Sequence, residues 1–283
     1  MTVPYIFIGI SAALFSSLLT GTAFVMQKHA IDVNISLHES RKITLSKRWW
    51  FAVFINVVGE LFNLVAYSFA SPEVITPLGA LSVVVAAILS HFWLKEQITT
   101  HGKIACLLCL LGSSLIVLHA PQTKTVYSIN EFVSLAAQTK FVVYFVLLMS
   151  IVVVCLILTY KRPSITSIIT VAAIAASLSV CMVTAVSQGI IAFLSDQADF
   201  SFVLFIFTGI TIGTLITSLY YFNYALAKYN ASQIIPIYYV LFTFYTLLTS
   251  SLLWGFETDL ITAATIVISF LILTCGVFLL QKE

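Results

Sequence analysis

The sequence predicts an all-α integral membrane protein, a bundle of nine transmembrane helices with an inverted internal repeat. Three observations carry that expectation: the composition, the spacing of the apolar runs, and a weak self-similarity between the halves. The 283 residues are 60% hydrophobic and 8% charged, with a mean hydropathy of +1.08. Soluble domains run to about 45–50% apolar and about 25% charged. A soluble fold of this make-up could not cover its surface with polar groups, and disordered chains are far more polar. The net charge of +2, from 13 Lys and Arg, is too small to build a basic face, which excludes nucleic acid as a partner.

A helix crosses the hydrocarbon with about 20 apolar residues. Runs of roughly that length fall at 5–26, 49–69, 74–94, 104–119, 141–160, 165–194, 200–221, 232–254 and 260–280, each without an internal Lys or Arg. Helix is the state that leaves no backbone group bare in lipid. The first run is too long for a signal-peptide core and has no positive charge before it, so it is expected to be retained. It carries the small-residue stripe Ala13, Ser17, Gly21, and the third carries Ser82, Ala86, Ser90, with Gly79 beside it. Such stripes let helices approach closely. The second run holds Glu60, the one acidic residue deep in any run. Cys106 and Cys109 of the fourth run are read as packing residues, not a redox pair. The sixth run is long, with Thr184, Ser187 and Gln188. The seventh has a third stripe, Gly209, Gly213, Thr217, and the eighth is aromatic, with Tyr238, Tyr239, Phe242 and Tyr245 read as packing and interface anchors.

The loops orient the set. Assigned alternately, one side collects eleven Lys and Arg, including Lys28, and the other only Lys124 and Lys140. The positive-inside rule then places the N-terminus outside and the C-terminus in the cytoplasm. The sequons at Asn34 and Asn230 fall on the cytoplasmic side and are expected to stay unmodified. The chain reads as one transmembrane domain, 1–283, with halves near 1–160 and 161–283. Laying Asn63–Trp93 on Phe222–Leu252 brings Pro77 onto Pro236 and Ala66 onto Ala225. The loops before the two prolines lie on opposite sides, which is the arrangement of inverted-repeat carriers with a midplane site.

An ionisable side chain at the bilayer centre costs about 2.5–3.5 kcal/mol on insertion scales, so some interaction must offset Glu60. Either it keeps its proton as a hydrogen-bonded structural group, or it is ionised beside water and balanced by a mobile cation. Asn56, Asn63 and Tyr67 stand four residues before, three after and seven after it, on one helical face. That stripe suits a wet cavity. Thr76, Gly79, Ser82, Thr184, Ser187, Gln188 and Asn223 are the further candidates to line it. Glu73, Asp196, Asp199, Glu257 and Asp259 would add negative charge at an outer mouth. No nucleophile–base pair or zinc-protease spacing is present, so an enzyme is not expected.

The run Gly59-Glu60-x-x-Asn63-x-x-Ala66-Tyr67-x-Phe69-Ala70-x-Pro72, followed by TPLGALSV (76–83), resembles the NIPA-like magnesium transporter family. So do LKE at 94–96, HGK at 101–103, LGS at 111–113, LHAP at 118–121, FNYAL at 222–226 and PIYYVLFT at 236–243. The resemblance implies a drug/metabolite transporter-like bundle that carries Mg²⁺ across a plasma or endosomal membrane, with the ion as substrate and no cofactor. Members usually carry Lys where this chain has Thr184, and Gln and Asn where it has Ser218 and Tyr220. Mg²⁺ prefers oxygen ligands and sheds water reluctantly. The resemblance therefore implies partial coordination, with Glu60 supplying charge, Asn56 or Asn63 a carbonyl oxygen, and retained waters the rest. The runner-up in the same fold is a carrier of a small organic solute.

Overall fold

Backbone groups in hydrocarbon must pair within their own segment, and every described element is helical, with no strand among the described residues. The computed structural model describes residues 3–36, 46–70, 72–95, 100–119, 129–194, 202–255 and 260–281. The helices are α1 (Val3–Ser36), α2 (Lys47–Phe69), α3 (Pro72–Leu78), α4 (Ala80–Trp93), α5 (Thr100–His119) and α6 (Ile129–Ala136). They are followed by α7 (Thr139–Lys161), α8 (Ile165–Leu194), α9 (Phe202–Lys228), α10 (Ala231–Ser250), a π turn (Ser251–Gly255) and α11 (Leu260–Gln281).

Among the described residues, seven helical stretches are long and apolar enough to cross a membrane, where the sequence predicts nine spans. Two shorter described apolar stretches, Lys103–Ile116 and Ile261–Gly276, lie at the fourth and ninth expected runs. The helices that hold them, α5 and α11, have 20 and 22 residues, or about 30 and 33 Å at 1.5 Å per residue, against a core of about 30 Å.

Two boundaries differ from the sequence reading. Helix α1 does not stop near residue 26 but continues to Ser36, because polar residues at a helix end do not interrupt its backbone ladder. Lys28 therefore lies inside a membrane-span candidate, Ile6–Val33, where no basic residue was expected. The third run is not one helix. It breaks at Gly79, where Gly79 N–H bonds Thr76 O at 3.0 Å and Ser82 N–H bonds Gly79 O at 2.8 Å, both tight i to i+3 bonds. Pro77 removes one ladder donor and Gly79 lacks a side chain to hold the helix. Pro236 occupies the equivalent sixth position of α10, where Tyr238 and Tyr239 follow in place of glycine, and that helix runs unbroken.

Helix α1 packs antiparallel along α2 and parallel along α4. The α1–α4 seam is the meeting of the first two small-residue stripes: a Cβ on Gly21 would come within 2.5 Å of Ser82 O. Helix α8 pairs with α9 and also carries α10, α7 and α2, which makes it the most enclosed helix. Its many Ala and Ser residues allow that crowding. Helices α5 and α11 pair closely through Gly112, where a Cβ would meet Leu273 N at 2.7 Å. The third stripe packs against nothing: Gly209 and Gly213 have no atom within 4 Å of an added Cβ. Glycine spacing alone does not say which face a neighbour covers.

Candidate functional site

Helices α1, α2, α3–α4, α8, α9 and α10 surround one cavity of about 560 Å³. Its first wall comes from Ser16, Ser17 and Thr20 of α1 and from Asn56, Glu60, Asn63 and Tyr67 of α2. Helical spacing brings these residues to one side of each helix. Gly59 lets the two helices meet there, since a Cβ on it would lie 2.8 Å from Thr20 Oγ1. Asn63 Nδ2 donates to Glu60 Oε2 at 3.3 Å. Thr20 Oγ1 and Asn56 Nδ2 are buried and have no hydrogen-bond partner among the described residues. Glu60 is the only acidic residue among the described residues lining the cavity.

The broken helix supplies Thr76, Gly79 and Ser82. Tyr67 and Thr76 hydroxyls stand 3.4 Å apart. A helix break frees carbonyl oxygens, and here hydroxyls from other helices meet them. Tyr239 reaches Thr76 O at 3.0 Å and Pro77 O at 2.7 Å, while Ser17 Oγ reaches Leu78 O at 3.2 Å. The backbone at Gly79 is thus held by α10 and α1.

The opposite wall is mostly apolar. It contains Val180, Val183 and Val186 of α8 and Ile212, Leu215 and Ile216 of α9. Its hydroxyls bond their own helices: Ser179 donates to Ala176 O at 2.6 Å, Thr208 to Leu204 O at 2.8 Å and Thr211 to Phe207 O at 2.8 Å. Toward the far end of α1, Phe24, Phe222, Tyr238 and Phe242 gather. The Phe24 and Phe222 rings are 4.4 Å apart, Phe222 and Tyr238 4.8 Å, and Tyr238 stacks on Phe242 at 6.0 Å. Tyr238 and Tyr239, read from sequence as anchors, thus line the cavity. The hydroxyl of Tyr238 sits 3.3 Å from Ser218 Oγ.

The structure brings Glu60, Asn56, Asn63, Tyr67, Thr76, Gly79 and Ser82 to the cavity. Thr184, Ser187 and Asn223 are not among its lining residues. Thr184 donates to Val180 O and Ser187 to Thr184 O, both at 2.9 Å, so both hydroxyls are satisfied within α8. Asn223 accepts from Trp49 Nε1 at 3.0 Å and donates to Leu219 O at 2.9 Å, tying α9 to α2. The side chains of Gln188 and Glu73, and residues Asp196, Asp199, Glu257 and Asp259, lie outside the described residues.

Sequence reasoning missed Ser16 and Thr20, although their four-residue spacing within an apolar helix was a usable signal. It also missed what Lys28 does. That residue is 8% exposed, and its ammonium donates to Leu226 O at 3.0 Å and Tyr229 O at 3.2 Å and pairs with Asp32 at 2.9 Å. The cation ties the end of α1 to the carbonyl end of α9.

One carboxylate, two amides and several hydroxyls form a set of hard oxygen donors. Among the described residues no group of three or more His, Cys, Asp or Glu could hold a metal. The cavity thus has no tight soft-metal site. Its oxygen-rich wall matches a hydrated hard cation, with one formal charge to attract it and few direct ligands to retain it.

The family model described as Magnesium transporter NIPA matches residues 5–283. A "Probable magnesium transporter" of Candida albicans is 33% identical over 287 residues, covering 97% of this chain and 78% of the relative. "Probable magnesium transporter NIPA1" of Arabidopsis thaliana is 33% identical over 288 residues, covering 97% and 85%. "Probable magnesium transporter NIPA2" of the same plant is 33% identical over 287 residues, covering 97% and 85%. No solved structure matches.

Proposed function

The chain belongs to the magnesium transporter NIPA family, and from that premise we infer that it is a transporter of Mg²⁺ across a lipid bilayer, not an enzyme. The single observation that supports this mechanism best is Glu60, the lone carboxylate lining a cavity otherwise walled by neutral oxygens and hydrocarbon. In this reading Glu60 is ionised and attracts the partly hydrated ion. Asn56 and Asn63 contribute amide oxygens, and Tyr67 and Thr76 bond its retained waters. Mg²⁺ is the substrate, and no cofactor takes part. Its names among the relatives do not favour an organic solute.

The membrane potential drives the ion inward. It contributes about 2.3 kcal/mol per charge per 100 mV, hence about 4.6 kcal/mol for a divalent cation. We further propose nine spans, α5 and α11 completing the seven, with the N-terminus outside and the C-terminus in the cytoplasm of a plasma or endosomal membrane. The pairing of α1 with α2, of α8 with α9 and of α5 with α11 supports a drug/metabolite transporter-like inverted repeat. Helix α7 then closes the first half.

The test is uptake into liposomes holding the purified protein, under an inside-negative diffusion potential, with Mg²⁺, Mn²⁺, Ca²⁺ and Zn²⁺ offered singly. Saturable Mg²⁺ uptake that steepens with the potential is the expected result. No Mg²⁺ uptake above protein-free liposomes overturns the reading.

A further inference from the structure

Among the described residues, seven buried side-chain nitrogen or oxygen atoms have no hydrogen-bond partner in the protein. Four of them lie on α1 and α2: Thr20 Oγ1, Asn56 Nδ2, and both Nε2 and Oε1 of Gln27. Gln27 is the extreme case, with 0% exposure and neither end of its amide satisfied. Buried polar groups are normally bonded, and an amide that is not calls for an explanation. Replacing such a group by hydrocarbon of the same shape would be neutral or stabilising. Packing alone therefore does not account for a glutamine there.

Its position does. Gln27 is seven residues beyond Thr20, which returns it to the same face of α1, about 10 Å further along. Thr20 meets Gly59 on α2. The antiparallel register then sets Gln27 level with Ala52, one turn from Asn56. Long side chains lean toward the start of their own helix. That tendency runs from Gln27 toward the Glu60 cavity and from Asn56 toward Gln27; Gln27 itself is not among the residues lining the cavity. Phe24, part of the aromatic cluster, lies between Gln27 and the cavity in the chain. Lys28, next in sequence, fastens this end of α1 to α9.

We propose that Gln27 is a second station for the hydrated divalent cation, reached from the Glu60 cavity along the α1–α2 seam once the Phe24 ring moves aside. The amide oxygen accepts hydrogen bonds from water held by the ion, and the amide nitrogen donates to water beyond it. A neutral amide suits this role. Its oxygen replaces part of the outer hydration of Mg²⁺. The proposal rests on the magnesium-transport reading above.

The experiment compares the unaltered protein with Gln27→Leu and Gln27→Glu in the same liposomes, with thermal unfolding of each in detergent. Gln27→Leu is expected to lower Mg²⁺ uptake by about tenfold while its unfolding temperature holds or rises, as removal of unsatisfied polar groups dictates. Gln27→Glu is expected to keep at least half the uptake. Uptake by Gln27→Leu within twofold of the unaltered protein overturns the station and leaves magnesium transport standing. A fall in both uptake and unfolding temperature of Gln27→Leu assigns the residue to packing and also overturns it, as does a Gln27→Glu protein no more active than Gln27→Leu. No uptake by the unaltered protein overturns the transport reading, and this one with it.

Discussion

The two long walls of the cavity, α1–α2 and α8–α9, both carry polar residues, yet among the described residues the buried polar atoms without a partner lie on only one of them. On α8 and α9 the hydroxyls of Ser179, Thr208 and Thr211 already donate to carbonyls of their own helices. On α1 and α2 the Thr20 hydroxyl and the Asn56 amide nitrogen have no partner, and Glu60 is held by a single long bond from Asn63. A polar side chain marks a binding surface only when its own backbone has not already satisfied it. If the walls come from an inverted repeat, cation handling has been concentrated in one copy, and the other supplies hydrocarbon.

The sharpest way to break that contrast is Glu60→Gln. A charge that costs about 2.5–3.5 kcal/mol to place in the span should return a similar amount to the ion, so liposome Mg²⁺ uptake should fall by roughly 100-fold. Uptake at full rate with unchanged selectivity would remove Glu60 from the mechanism. Asn56→Leu comes next, with an expected loss of about tenfold in Mg²⁺ uptake from deleting one buried polar contact to the hydrated ion.

The glycines sharpen the same contrast in stability. Gly21→Val drives a side chain into Ser82 and should destabilise the protein by about 1–3 kcal/mol, read from unfolding in detergent. Gly209→Val, on α9, meets nothing within 4 Å and should shift the transition by no more than about 0.5 kcal/mol. The smallest effect is expected from Thr211→Val. Its hydroxyl faces its own helix, so Mg²⁺ uptake should stay within about twofold. A larger loss would show that the apolar wall takes part in binding after all.

Glu60, Asn56, Asn63 and Tyr67 were legible as a face because one helix encodes its own periodicity. The break at Gly79 left a partial trace in Pro77-x-Gly79, but Pro236 shows that proline alone does not break a span. The carbonyls freed at the break are met by Tyr239 from α10, and a partner 162 residues away leaves no mark on local pattern. Thr184 and Ser187 misled for the opposite reason: spacing reveals which residues are polar, not whether an i−3 or i−4 carbonyl has claimed them. Lys28 escaped because hydropathy ends a run where apolar residues end, while the helix itself continues.

Lys28 also bears on how the chain is made. Its partners Leu226 O and Tyr229 O lie 198 and 201 residues downstream. At synthesis rates of about 5–20 residues per second, the ammonium waits roughly 10–40 s after it leaves the ribosome before those carbonyls exist. During that interval its described ion pair is with Asp32, one turn away, and a long basic side chain at a helix end can reach the headgroups until α9 is made. The closing stitch of the bundle is therefore sewn near the end of translation, which makes the newborn chain, more than the finished carrier, the form most exposed to quality-control surveillance.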